Sequence, residues 1–248
     1  MESLPTTIKG LNSKLVGRDR KAEKILAILS DFYRTNLDDL FCLDIGCSNG
    51  QITLRLSRNF KQIIGIEIEE RILFEVLNNP EYQWSNASFA QANGISLPFD
   101  KDSFDVIICA QVYEHVENQT GLADEVWRIL RPGGFCFFSG PNRLAIIEEH
   151  YFLPFLSWLP RSWATMYMKI FQKGNYYDAY PLYYKQINTL WHRFKIHDYT
   201  YKLLRDPKHY SVDDRVKGSK IINLIPLQLL RFLTPLYPNY NWILQKPF

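Results

Sequence analysis

A short apolar run that carries an acid and then turns through two glycines constrains the fold of this chain more than any other segment. Residues 41–50 read Phe-Cys-Leu-Asp-Ile-Gly-Cys-Ser-Asn-Gly. An apolar run this short and this sharply bounded is typical of a buried strand in a parallel sheet. Gly46 and Gly50 would let the backbone pass close to a ligand, and open α/β sheets bind ligands at the carboxyl ends of their strands.

The spacing of these glycines differs from two phosphate-binding patterns. It is Gly-x-x-x-Gly with Asp44 two residues ahead, and it matches neither Gly-x-Gly-x-x-Gly nor Gly-x-x-x-x-Gly-Lys. We therefore expect a ligand without phosphate, and an amine on that ligand could pair with Asp44. Two alternatives stay open: Asp44 could order the loop instead, or the segment could be a plain strand-to-helix turn.

The charge is small overall but unevenly distributed. The chain has 248 residues, of which 46% are hydrophobic, so it can bury one sizeable core as a single domain or form two small domains. Residues 1–142 carry 14 Lys and Arg against 19 Asp and Glu, whereas residues 143–248 carry 15 against 7. The second part therefore presents a different, basic surface.

The four cysteines indicate a reducing compartment. Cys42, Cys47, Cys109 and Cys136 form no Cys-x-x-Cys pair and have no histidine at metal-ligand spacing, so we expect buried thiols and no metal. The polar N-terminus and the lack of an apolar run of about 20 residues predict a cytoplasmic protein.

Hydrophobic periodicity predicts alternating strands and helices, hence right-handed βαβ units in a parallel sheet. A loose segment is expected over 1–12. Helices are predicted within 14–33 and over 50–59, 69–77, 124–130 (ended by Arg131-Pro-Gly-Gly134) and 182–193. Strands are predicted over 41–45, 62–67, 88–91, 104–110, 135–139, 194–199 and 242–245.

Three further polar groups follow predicted strands. Glu67 could accept hydrogen bonds from two ribose hydroxyls, or it could be a solvated acid. Asn93-Gly94 could read an adenine edge, or form a plain turn. Gln111 could touch a ligand and His115 could titrate near neutral pH, although Glu114 and His115 could equally begin or cap a helix.

Together these residues resemble the class I S-adenosylmethionine-dependent methyltransferases, in the small-molecule branch of quinone, lipid and natural-product methylases. The resemblance spans residues 38–140 and rests on Asp44-Ile-Gly-Cys-Ser-Asn-Gly50, Glu67, Leu97-Pro-Phe-x-x-x-Ser-Phe-Asp105, Glu114-His-Val116 and Arg128-Ile-Leu-Arg-Pro-Gly-Gly134. It implies an α/β fold: a Rossmann-like, doubly wound, mostly parallel seven-stranded sheet with helices on both faces and an antiparallel last strand.

The resemblance also implies which residues hold S-adenosylmethionine. The loop Asp44, Gly46, Cys47, Ser48 and Gly50 would hold the methionine part, Glu67 with Ile68 the ribose, Asn93 with Gly94 the adenine, and Ala110 with Gln111 would lie near the sulfonium. Two residues depart from the family pattern: Ser48 stands where glycine is frequent, and Asn93 where aspartate is usual.

We expect one methyltransferase domain over 1–248. It would comprise an N-terminal helical segment (1–37), a cofactor-binding core (38–142), two lid or acceptor insertions (143–180 and 200–240), and segments that complete the sheet (181–199 and 241–248).

The acceptor is expected to be a small molecule, apolar or related to lipids, sugars or natural products. If it must lose a proton, His150 and then His115 are the candidate bases, although His150 could be a surface histidine beside two acids. The competing hypothesis is a non-catalytic scaffold of the same fold. A nucleic-acid or protein acceptor is less expected, because no Lys/Arg run or RNA-binding module is present.

Residues 151–173 are unusually apolar for a loop. They could form a lid, or touch a membrane surface through the nearby Arg161, Lys169 and Lys173, which would make the protein membrane-peripheral. Packing on the sheet or on a second subunit is the alternative that the sequence slightly favours, and the oligomeric state stays open.

Overall fold

The computed structural model describes residues 4–80, 85–214, 216 and 222–248, with side chains from residue 17 onwards. Seven strands form one sheet in the order β3-β2-β1-β4-β5-β7-β6. The strands are β1 Phe41–Ile45, β2 Gln62–Glu67, β3 Ala87–Gln91, β4 Phe104–Ala110, β5 Leu130–Pro141, β6 Lys195–Asp198 and β7 Asn239–Gln245. β7 runs antiparallel to both β5 and β6, and the other pairings are parallel. The predicted doubly wound, mostly parallel sheet with an antiparallel last strand is confirmed.

Helices cover both faces of this sheet. They are α1 Leu4–Tyr33, α2 Gln51–Ser57, α3 Glu70–Leu77, α4 Gln119–Ile129, α5 Arg161–Ile170, α6 Tyr184–Leu190, α7 Thr200–Arg205 and α8 Leu227–Phe232. Alternate residues of each strand point to opposite faces, so neighbours such as Ile107 and Ile108, or Phe137 and Phe138, belong to two different cores. One core lies under α4 and α6, and the other lies under α1, α2 and α7. All four cysteines are free and buried.

Two helices begin at least five residues earlier than predicted. α1 begins at Leu4, where a loose segment was expected. Pro5 tolerates this position, because the first N–H groups of a helix have no partner within the helix. α4 begins at Gln119 rather than Asp124, with the Asn118 side chain accepting a hydrogen bond from the N–H of Gly121.

The Arg131-Pro-Gly-Gly134 segment lies inside β5 and does not precede it. Leu130 already pairs with Phe104, and the register shifts before Val106 pairs with Phe135. Gly133 has a φ of 79°, and its N–H donates to the carbonyl of Lys246. The contact with the far end of the chain, which no local pattern encodes, is what keeps this segment in the sheet.

The described residues of both predicted insertions include helices. Residues 143–180 include a 3-10 turn at Leu156–Trp158 and α5, and they enclose a small core of their own. Residues 200–240 include α7 and α8, while residues 215 and 217–221 of that insertion lie outside the described residues. Across the described parts of the chain, none of the helices is both apolar and long enough to cross a bilayer.

We predict that Lys246→Met lowers the free energy of unfolding by roughly 2–4 kcal/mol. Lys246 is only 8% exposed, and its ammonium group donates to Asp102 Oδ1 at 2.8 Å, to the carbonyl of Trp127 at 2.9 Å and to the carbonyl of Leu130. Urea denaturation measures the change, with exposed Lys185→Met as the matched control. An equal effect of the two substitutions would contradict this role.

Candidate functional site

The loop after β1 has an alternating left-handed backbone. Gly46, Ser48 and Gly50 have φ values of 69°, 50° and 72°. A side chain at Gly50 would meet the Phe89 ring, since an added Cβ would lie 2.8 Å from its Cε1. Ser48 takes a conformation that glycine adopts at lower cost, which explains why glycine suits this position in the family the sequence resembles. Strained backbone of this kind concentrates at ligand-binding sites.

Asp44 is buried at the start of this loop. It is 5% exposed, and its Oδ2 accepts a hydrogen bond of 2.6 Å from Thr53 on α2. Burial raises the pKa of Asp44 to about 7; the Thr53 hydrogen bond opposes the shift and the nearby charge of Glu67 adds to it. A cation beside Asp44 would favour its charged form.

Glu67 joins the end of β2 to the same loop. Its Oε2 accepts from Ser48 N at 2.9 Å, and its Oε1 accepts from Ile68 N at 2.8 Å and from Glu69 N at 3.2 Å. Only 9% of the residue is exposed, so Glu67 is not a solvated acid. Its carboxylate is fixed in position, and Ile68 beside it is 57% exposed.

Asn93 and Gly94 form a turn after β3. Asn93 Oδ1 accepts from Ile95 N at 3.1 Å, so the side-chain oxygen orders the turn. A Cβ added to Gly94 would lie 3.2 Å from Leu122 Cδ1 and 3.4 Å from Ile45 Cγ2. The turn therefore lies against the end of β1, close to the loop that Asp44 begins.

A cavity of about 670 Å³ opens at the carboxyl edge of the sheet. Six of the predicted cofactor residues line it: Asp44, Gly46, Cys47, Ser48, Ala110 and Gln111. Gly50, Glu67, Ile68, Asn93 and Gly94 are not among its described lining residues, although Glu67 is hydrogen-bonded to the lining residue Ser48.

The sequence-based prediction did not include the residues of α1 that line this cavity. Arg18, Lys21 and Lys24 of α1 line it, and their spacing of three residues, which places them on one helical face, was the available signal. Arg18 Nη1 donates to Gln51 Oε1 at 3.1 Å, and Lys24 Nζ donates to Asn241 Oδ1 at 2.9 Å. An apolar wall completes the cavity and includes Leu203, Leu204, Val212, Val216 and Ile222.

Gln111 lines this cavity and carries a buried oxygen that is unmatched among the described residues. Its φ is 60°, its N–H donates to the carbonyl of Ser139 at 2.7 Å, and its Nε2 donates to Ser139 Oγ at 3.4 Å. Its buried Oε1 receives no hydrogen bond from the described residues. Because an unsatisfied buried acceptor is costly, this atom indicates a ligand that offers a donor or a positive charge.

The two candidate bases lie together and are not among the described lining residues of the cavity, although Glu149, next to His150 in the chain, lines it. Glu114 and His115 form a 3-10 turn after β4, and the rings of His115 and His150 have centroids 4.8 Å apart. His150 Nε2 lies 3.4 Å from Glu114 Oε1, and His115 Nδ1 lies 3.7 Å from Asp178 Oδ2. Glu114 is the main cause of the raised pKa of His150. His150 is therefore not a simple surface histidine.

Comparison with known proteins agrees with this architecture. Residues 43–138 match the family model described as a methyltransferase domain. The ubiquinone biosynthesis O-methyltransferase of Leptothrix cholodnii is 28% identical over 128 residues, covering 48% of this chain and 54% of that protein. The demethylmenaquinone methyltransferase of Tropheryma whipplei is 32% identical over 122 residues, covering 48% and 49%. The chain thus spans about half the length of the curated relatives it matches.

Solved structures share the fold. An S-adenosylmethionine-dependent methyltransferase from Mesorhizobium loti has a TM-score of 0.56 at 15% identity, covering 86% of this chain and 93% of that one. Phosphoethanolamine N-methyltransferase 2 of Haemonchus contortus, solved with S-adenosyl-L-methionine, has a TM-score of 0.55 at 18% identity, covering 90% and 52%. Residues 43–138 therefore match a methyltransferase domain, and the described chain shares its fold with S-adenosylmethionine-dependent methyltransferases.

Proposed function

We propose that this class I methyltransferase domain binds S-adenosylmethionine and transfers its methyl group to a small-molecule acceptor. The observation that carries the proposal is the joined loop at the ends of β1 and β2, where buried Glu67 fixes Ser48 between two left-handed glycines. The chain passes outward from β1 to β2 and β3 and then crosses to β4, so this loop lies at the topological switch point where such sheets bind ligands.

The described residues fit this cofactor. Asp44 would pair with the ammonium group, and Gln111 Oε1, which receives no hydrogen bond within the described structure, would face the positive end. Three backbone hydrogen bonds use three of the roughly four acceptor sites of the Glu67 carboxylate, which leaves one on Oε2 for a ribose hydroxyl. Asn93 Nδ2 and the N–H of Gly94 would serve the adenine. When bound, the cofactor supplies a methyl group that its sulfonium already activates.

The protein's own contribution is mainly alignment. A preorganised site that holds two reactants in line lowers the barrier without a covalent intermediate on the protein. A proton acceptor is needed only where the acceptor must be deprotonated. We assign that task to the cluster of Glu114, His115 and His150 as a unit, because the three side chains are in contact.

The cavity suits an acceptor with an apolar body. Its wall of Leu203, Val212 and Ile222 would contact an apolar ring or chain, and the cations of α1 face the same space. The names of the curated relatives refer to quinone methylation, which supports an acceptor of this kind.

We further propose that residues 151–173 touch a membrane surface from which an apolar acceptor is taken. Phe152, Trp163, Met166 and Ile170 are between 56% and 71% exposed. Residues 150–177 contain no acid, and Lys169 and Lys173 are exposed beside the apolar face. Aromatic and apolar side chains flanked by cations suit an anionic interface.

Glu67→Ala should weaken S-adenosylmethionine binding at least tenfold, because hydrogen bonds to a charged group contribute about 1.5–3 kcal/mol. Isothermal titration calorimetry measures the affinity, and exposed Glu69→Ala is the matched control. No binding heat from well-folded wild-type protein would overturn the proposed function and favour the scaffold alternative. Unchanged affinity in Glu67→Ala would remove Glu67 from the site.

Cofactor affinity should rise with pH through the titration of Asp44. Its pKa is raised to about 7, so the carboxyl is neutral below that pH and gains the charge that holds a cation as the pH rises. Between about pH 5.5 and about pH 7 the dissociation constant should fall roughly tenfold. In Asp44→Asn the dissociation constant should no longer depend on pH in this range. An equal pH dependence of the dissociation constant in both proteins would contradict the prediction.

Vesicle flotation tests the membrane contact. The protein should float with phosphatidylglycerol vesicles and not with phosphatidylcholine vesicles. Replacing Trp163 and Ile170 together by Gln should reduce the bound fraction at least about fivefold. Phe232→Gln, at a residue that is 76% exposed on α8, is the control. Absence of flotation, or equal loss in the control, would refute the contact.

A further inference from the structure

We propose that Glu114, His115 and His150 bind one divalent metal ion of the kind that takes nitrogen and oxygen ligands, such as Zn²⁺. The three residues each offer one ligand atom, and these atoms lie within 4.8 Å of one another. The binding itself does not depend on the proposed methyl transfer. Any role of the metal ion in methyl transfer, however, rests on the proposed function.

Glu114 is the reason to expect a cation. The residue is 0% exposed, and neither carboxylate oxygen receives a hydrogen bond within the described residues. His150 Nε2, which also lacks a hydrogen-bond partner among them, lies 3.4 Å from Glu114 Oε1. Among the described residues the partner of this buried carboxylate is the His150 imidazole, at a distance longer than a normal hydrogen bond. A metal ion between the two would satisfy the carboxylate and the imidazole at once.

The separation between Glu114 and His150 is that of two ligands of one metal ion. With zinc bonds of about 2.0–2.1 Å, two ligands of a tetrahedral ion lie roughly 3.3 Å apart. The distance of 3.4 Å between Glu114 and His150 already matches. All three ligand atoms lie within 4.8 Å of one another, so His115 would close the remaining difference by moving toward the ion. The side chains of His115 and His150 are 36% and 27% exposed, so a fourth position could open to solvent or acceptor.

The surrounding structure holds the three side chains in place. The N–H of Tyr180 donates to the carbonyl of Glu114, which fixes the turn that carries the first two ligands. Glu148 Oε2 accepts from the N–H groups of His150 and Tyr151 at 2.9 and 2.7 Å. Asp178 lies beside His115 Nδ1 and accepts from the Tyr151 hydroxyl at 2.8 Å. A carboxylate beside the second ring nitrogen of a ligating histidine is a recurrent feature of metal sites, and Asp178 occupies that place beside His115.

With a divalent ion bound, the three side chains would serve as its ligands instead of as a base. The ion would then promote the deprotonation that we assign to the cluster, and the proton would pass to solvent. Metals lower the pKa of a hydroxyl that they bind, so the ion would favour an acceptor that is methylated on a hydroxyl oxygen. Two histidines and one carboxylate suit zinc and several first-row metals.

Cobalt titration tests the site directly. Tag-free, chelator-treated protein is titrated with Co²⁺, whose visible absorption reports coordination, and then with competing Zn²⁺. We expect one equivalent per chain, at least thirtyfold weaker binding in Glu114→Gln and His150→Gln, and no change in exposed His209→Gln. His150→Gln keeps the test valid if Glu114→Gln does not fold.

Absence of stoichiometric binding to wild-type protein, or equal affinity in His150→Gln, would overturn the metal site. Calorimetry with S-adenosylmethionine on the same chelated samples separates the two proposals. Cofactor binding without metal binding would remove only the metal site. Metal binding without cofactor binding would support the metal site and overturn the proposed function.

Discussion

The hydrogen bond from Ser48 N–H to the carboxylate of Glu67 is the constraint on which the cofactor side of this structure depends. It ties the loop after β1 to the end of β2, at a distance of 2.9 Å. Ser48 makes this bond with a left-handed backbone, and Gly46 and Gly50 take the same conformation on either side. Next to this fixed loop, Thr53 holds the Asp44 side chain in place. Asp44 and Ser48 then form a polar part of the cavity wall. Removing Glu67 would therefore loosen Ser48 as well as removing the acceptor for a ribose hydroxyl.

The sequence predicted the centre of the sheet well because its strands are buried on both faces. The predicted bounds of β1, β2 and β4 agree with the structure, since short apolar runs between turns have one stable placement there. The prediction for the Arg131-Pro-Gly-Gly134 segment was wrong, because a distant part of the chain determines its structure. Its local pattern indicates a helix end and a turn, whereas pairing with Lys246, more than a hundred residues away, extends β5 through it. Local propensity cannot report such pairing.

In the candidate site, too, some residues could be predicted from the sequence and others could not. Residues at strand ends, such as Asp44 and Gln111, could be predicted because parallel strands bring their carboxyl ends to one edge. The cations of α1 and the wall around Leu203 reach the cavity by helix packing, which strand patterns do not encode. The contact between Glu114 and His150 joins the turn after β4 to the segment after β5, so the sequence could offer the histidines separately but could not show that they meet.

Tyr113 explains how one short segment serves both the cavity and the cluster. Its buried hydroxyl donates to the carbonyl of Pro141 and accepts from Leu182 N at 3.1 Å, which anchors the turn between Gln111 and His115. Gly140 makes room for its ring, since an added Cβ would lie 2.3 Å from Tyr113 Cε1. With the ring seated there, Gln111 faces the cavity while Glu114 meets His150. The segment after β5 supplies His150 and then the exposed apolar residues. An acceptor taken up at that apolar surface would therefore arrive next to the group that we assign to its deprotonation.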